Sequence, residues 1–148
     1  MKINFNTYLV ALILMSLFLG CTSSPKKETN FYDLEVEKFS SSVKLLLTDL
    51  EFLKKEIVKV IANKPSVQRI LIEADDKWMK EDLKKTSSTL ERGLRIAKDE
   101  SALYLRLAHV RLEQGLIKES SAFAERGLLN KNASSWELLL LKIYSAQK

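Results

Sequence analysis

Apolar positions along the chain fall into three regimes. From Tyr8 to Leu19 they form a run without a single charge. From Val36 to Val60 they recur at alternating intervals of three and four: Val36, Phe39, Val43, Leu46, Leu50, Leu53, Ile57 and Val60. That is the a/d spacing of a heptad seam, and it predicts one long amphipathic helix over 34–63, periodic across 34–62. Leu45, Leu47, Phe52, Val58 and Ile61 widen its apolar stripe beyond two positions in seven. A wide stripe suits a helix covered by several others of its own domain; an intermolecular coiled coil at 34–62 is the alternative. Asn63-Lys64-Pro65 is expected to close the helix, since proline cannot continue it.

Beyond Ser66 the periods shorten. The pattern predicts five helices, near 66–79, 82–97, 101–114, 117–130 and 134–147. Ser134 with Glu137 makes a capping box for the last of them. Gly115 falls between the third and fourth, where a sharp turn favours a residue tolerant of positive φ. With four Gly and two Pro in 148 residues, turn-makers are too few for a strand-rich fold, and the expected class is all-α.

The first regime is too short for a membrane span and suits the apolar core of a secretory signal over 1–20. It ends on the chain's one cysteine. Leu17-Phe18-Leu19-Gly20-Cys21 resembles a bacterial lipobox, although Phe18 stands where a Leu is usual. The resemblance implies that Cys21 carries lipid, palmitate included, with an uncleaved signal anchor as the rival. It also implies a membrane-anchored protein of the cell envelope. Thr22 in place of an aspartate then points to the periplasmic face of the outer membrane. Residues 21–33 would be the lipidated cysteine and a polar, flexible tether.

Glu91-Arg92-Gly93-Leu94 returns as Glu125-Arg126-Gly127-Leu128, 34 residues later. This part of the chain, about 66–148, resembles the tetratricopeptide repeat (TPR) family. Tyr104, Leu107 and Ala108 stand at its aromatic, Leu and small positions, Gly115 at its turn, and Ala124 and Gly127 at its late positions. Arg111, Ser120 and Asn132 depart from the pattern. The resemblance implies stacked antiparallel helix pairs forming a small superhelix after the long helix, with 135–148 as a terminal cap. It implies a protein-binding scaffold whose concave groove holds Leu71, Asp75, Trp78, Leu105, Arg106, His109, Leu112, Leu139 and Ile143. The competing expectation is that Trp78, Leu105 and Leu112 pack against the 34–62 helix.

Charge and chemistry narrow the function classes. Removing 1–20 takes away Lys2 and no acid, leaving 23 basic and 19 acidic residues, a net of +4. That is too mild for a nucleic-acid footprint. A lone cysteine allows no internal disulfide, and a lone histidine, His109, has no second ligand at metal spacing. No phosphate-binding glycine loop or nucleophile elbow is present, and Asp75-Asp76 and Glu81-Asp82 lie among lysines as solvated ion-pair surface. The expectations are therefore no catalysis, no cofactor and no metal. The partners would be the membrane, through Cys21, and another envelope protein or peptide, with a monomer favoured over an oligomer. Envelope or peptidoglycan assembly is the process this suggests.

Overall fold

A computed structural model of the chain describes residues 31–146. The signal segment, Cys21 and residues 22–30 of the tether lie outside the described residues. The chain divides into two units, 1–36 and 37–148, and the second holds the core. Among the described residues there are seven helices and no strand, so the fold is all-α. No helix among them is long and apolar enough to cross a membrane.

The heptad segment is two helices rather than one. α1 spans Phe31–Thr48, starting inside the expected tether, and α2 spans Leu50–Val58. Asp49 makes the break. Its backbone is extended (φ −124°, ψ 102°), and its carboxylate accepts the Phe52 amide at 2.9 Å, an N-cap for α2. Burial along the seam does not follow the break. Leu46, Leu53, Ile57 and Val60 are buried in the core, whereas Phe39, Leu47 and Leu50 are exposed.

α2 ends at Val58, short of the expected 62, and Pro65 does not end it. Pro65 instead opens α3 (Pro65–Met79), at the first turn, where no amide is needed. The connecting segment is pinned by acceptors from farther along the chain. Buried Glu100 takes the Asn63 and Lys64 amides, both at 3.0 Å, and Gln68 takes the Ala62 amide at 2.7 Å.

α3 packs on α4 (Leu83–Ile96), and α5 (Ser101–Glu113) packs on α6 (Ile117–Leu128). α4 also meets α5, and α7 (Ser135–Ser145) packs on both α5 and α6. The capping box closes at α7, where Ser134 Oγ accepts the Glu137 amide at 3.3 Å and Glu137 accepts the Ser134 amide at 2.7 Å. α5 is the central helix, buried at every residue from Ser101 to Val110.

The recurring glycines explain themselves in this packing. A Cβ on Gly93 would come within 2.7 Å of Leu103 and 3.3 Å of Ile70. One on Gly127 would meet Leu141 at 2.7 Å and Tyr104 at 2.9 Å. Ile70 and Tyr104 are themselves 34 residues apart. Each glycine thus lets the second helix of a pair approach both its own first helix and the first helix of the next pair. The turns repeat as well. Glu81 and Asp82 donate to the Trp78 and Lys77 carbonyls at 3.0 and 3.1 Å; Gly115 and Leu116 donate to those of Leu112 and Arg111 at 2.9 and 2.8 Å. Both are Schellman closures, and both need a left-handed residue: Gly115 (φ 76°) in one and Glu81 (φ 59°) in the other.

Candidate functional site: a groove filled by its own chain

The nine residues expected to line the groove do come from the first helices of successive pairs, but they do not form an open surface. Leu71, Trp78, Leu105, Arg106, His109 and Ile143 are buried. Asp75, Leu112 and Leu139 are partly buried. α2 lies against α5 and, with the segment after it, occupies this side. Of the competing expectation, that Trp78, Leu105 and Leu112 pack against the 34–62 helix, Trp78 meets it, with Lys54 of α2 over its ring, while Leu105 is buried in the shared core and Leu112 only partly so. The seam positions Leu53, Ile57 and Val60 join the same core as Leu71, Trp78 and Leu105, whereas the widening positions Leu45, Leu47, Val58 and Ile61 stay exposed.

Two polar clusters fix the cover in place. In the first, Arg106 reaches from α5 to Asp75 on α3 in a two-pronged pair, Nε to Oδ1 at 2.8 Å and Nη2 to Oδ2 at 2.9 Å. Its remaining donors go to the Ala102 carbonyl of its own helix at 3.4 Å and to the Val60 and Val58 carbonyls, each at 3.1 Å. The Val58 carbonyl is the last of α2 and that of Val60 lies two residues beyond, where unpaired acceptors and the negative pole of the helix face a guanidinium. Buried Arg106 therefore joins three segments, and Asp75 is not solvated surface as its sequence neighbours suggested.

The second cluster centres on Glu113, a residue the sequence reading did not single out. Trp78 Nε1 donates to Glu113 Oε2 at 2.7 Å. Lys54 on α2 and His109 Nε2 each reach Oε1 at 3.2 Å. Lys54 also sits over the Trp78 ring, 4.6 Å from its centre. Burial by itself would raise the Glu113 carboxyl, but hydrogen bonds from His109 and Trp78 outweigh it, helped by the electrostatic pull of His109 and Lys54, and hold it at about 2. Behind this, His109 Nδ1 meets the Tyr144 hydroxyl at 2.5 Å, with ring edges in contact. Burial, with the Glu113 charge as a lesser cause, pushes the Tyr144 hydroxyl well above the usual phenol range.

A carboxylate, an imidazole and a hydroxyl in line invite a catalytic interpretation. The geometry opposes it. The hydroxyl at the end of the chain is fully buried, with its ionised form disfavoured. A substrate would have to replace α2 or α7 to reach it. The arrangement acts as a strut that satisfies every member and ties α2, α3, α5 and α7 together. Among the described residues no group of three or more His, Cys, Asp or Glu is placed to hold a metal ion.

One cleft remains open beside the cover. It lies between the end of α2 and the start of α7, has a volume of about 340 Å³, and is lined by Glu56, Lys59, Val60, Ile61 and Trp136 among others. Ile61 is 72% exposed there. No family model, no curated protein and no solved structure matches this chain.

Proposed function

We propose that this chain is a lipid-anchored protein of the bacterial envelope whose helical body is a binding module of the tetratricopeptide type. It holds another envelope protein or peptide near the membrane, in envelope or peptidoglycan assembly, and does no catalysis of its own. The lipobox-like Leu17–Cys21 segment supports the anchor, and the missing aspartate at position 22 supports the periplasmic face of the outer membrane. The observation that carries the binding half is the repeated helix pair, with Gly93 and Gly127 at equivalent crossings. Stacked helix pairs of this kind build extended surfaces rather than enclosed sites.

Because α2 fills the expected groove, the partner's contact in this reading moves to the cleft beside it. Ile61 and Trp136 are its apolar anchors, with Glu56 and Lys59 at the rim. The test has two arms. Metabolic palmitate labelling lost in Cys21→Ser supports the anchor, and labelling that persists sinks it. Cross-linking in the native envelope then compares the wild type with Ile61→Ala/Trp136→Ala, whose side chains are exposed enough to be cut back without unfolding the body. One adduct that disappears in the double variant places the partner at the cleft; an adduct that survives unchanged rejects that location. A structural oligomer joined through 34–62 is the rival, and it rests on the exposed Phe39, Leu47 and Leu50.

A further inference from the structure

One side of α1 carries an apolar stripe that the body leaves uncovered. On α1, Phe39 is 60% exposed and Leu47 is 64% exposed, with Val43 between them at helical spacing. Leu50, just past the break, continues the line and is also exposed. Within residues 37–48 only Leu46 is buried. Single exposed apolar residues are ordinary, but a row at i, i+4 and i+8 on one helix is a stripe that needs an occupant.

Three observations choose among the occupants. The first concerns length. From Phe39 to Leu50 the stripe covers under two heptads, whereas a sustained coiled coil needs roughly three to four. The second concerns register. Leu46 occupies the seam position between Val43 and Leu50, and it is already taken into the chain's own core. A second copy docking on this seam would lack one of its knobs. The third concerns the polar side of α1. Ser41 and Ser42 donate to the Lys38 carbonyl at 2.8 and 2.9 Å, and Thr48 donates to the Lys44 carbonyl at 2.9 Å. Lys38 and Lys44 border the stripe, and the acidic residues of α1, Asp33, Glu35 and Glu37, all precede it; basic residues beside an apolar stripe suit a helix lying in a membrane interface.

Chain length makes this surface reachable. Nine residues lie between Cys21 and the start of α1 at Phe31, ten steps along the chain. Fully extended, those ten steps span at most about 36 Å. A stripe held this near a bilayer meets lipid as an intramolecular event, so a contact too weak to recruit a free protein is enough to dock a tethered one.

We infer that α1 is an interfacial helix: its Phe39–Val43–Leu47 stripe lies in the headgroup region of the bilayer that anchors the chain, and α1 sets the distance and tilt of the repeat body. The inference rests on the proposed lipid anchor at Cys21.

The test places p-benzoylphenylalanine in the full-length chain at Phe39, Val43 or Leu47, and at Ser41 on the opposite side of α1 as a control. The cells are irradiated, the protein is purified, and the mass of each adduct is read, together with the mass of the Cys21 peptide. The expected result is phospholipid adducts at the three stripe positions, in yield at least about five-fold above Ser41. A covalent dimer of this chain, an adduct to another protein, or no phospholipid adduct above the Ser41 level overturns the inference. The two readings fail separately: phospholipid adducts with an unmodified Cys21 remove the anchor and keep the docking, whereas a lipidated Cys21 without adducts removes the docking and keeps the anchor.

Discussion

The helix pairs α3–α4 and α5–α6 share one frame and differ in what lies beside it. Their glycines, turn hydrogen bonds and left-handed turn residues coincide at the 34-residue offset. Their outward chemistry does not. Ile72 is 60% exposed, yet Arg106, 34 positions later, is completely buried. Met79 is exposed, yet Glu113, at the matching position, accepts three donors. The difference is α2, which packs on α5 and brings Lys54 and the Val58 and Val60 carbonyls with it. The repeat sets where backbones cross, and the non-repeated neighbour decides which side chains must be polar.

The sharpest way to test that division is to remove Arg106. Arg106→Ala strands the Asp75 carboxylate and the Val58 and Val60 carbonyls at and beyond the end of α2, and breaking a buried pair from one side costs about 3–5 kcal/mol. The matching change in the first pair, Ile72→Ala, is expected to move stability by no more than about 0.5 kcal/mol. Urea unfolding of the two variants beside the wild type measures both. Equal losses would show that α2 does not distinguish the pairs.

Acid should probe the same contact from the other cluster. The folded Glu113 carboxyl, at about 2, lies below its ordinary value of 4.5. A depressed folded value means that its contribution is fully present above about pH 4.5 and is lost as pH falls toward 2. With its side chain 18% exposed, the amount is on the order of 2 kcal/mol. Melting temperature followed from pH 6 to pH 2 should fall in that window, and Glu113→Gln should flatten the fall. Glu73, Asp82 and Asp99 are also held low, by Lys77 and Arg92, by Lys85 and by Lys64, and they supply the residual slope. A full acid loss retained in Glu113→Gln would assign the effect to those surface pairs instead.

Legibility followed the same line between frame and neighbour. The all-α class, the capping box and the glycine recurrence could be read directly, because each is set by local spacing. The break at Asp49 could not. An unbroken heptad rhythm says which positions are apolar, not whether the backbone continues between them. The one available signal was an N-cap residue followed by Glu51 in the first turn. Arg106 and His109 were named for a groove because their helix position was legible; their partners were not. Asp75 is 31 residues away and Val58 48, so no short spacing could announce the contact. Glu113 was missed altogether, since Lys54 lies 59 residues before it.

The glycine crossings offer a finer comparison within the frame. Alanine restores about 1 kcal/mol of helix propensity at either site. At Gly93 the new methyl meets the end of the Leu103 side chain, which can rotate aside. At Gly127 it also meets the Tyr104 Cβ at 2.9 Å, an atom fixed to the backbone of the central helix. Overpacking of that kind costs about 1–3 kcal/mol. Gly93→Ala is expected to stay within about 1 kcal/mol of the wild type, and Gly127→Ala to lose about 1–2 kcal/mol net. The reverse order in thermal unfolding would mean that α7 yields more readily than α5.

The smallest effect isolates the backbone alone. Glu81 and Gly115 hold the same left-handed turn, and nothing lies within 4 Å of where a Gly115 Cβ would sit. Packing therefore drops out of the comparison, and only the conformational cost remains. A left-handed non-glycine residue is strained by roughly 1–2 kcal/mol, partly offset by the greater freedom glycine loses on folding. Gly115→Ala should destabilise by about 1 kcal/mol, and Glu81→Gly should stabilise by a little less. Opposite signs at positions 34 apart would establish that the two turns share one geometry and that only the second carries the residue it calls for. A destabilised Glu81→Gly would instead assign the Glu81 side chain a contact that outweighs the strain of its own backbone.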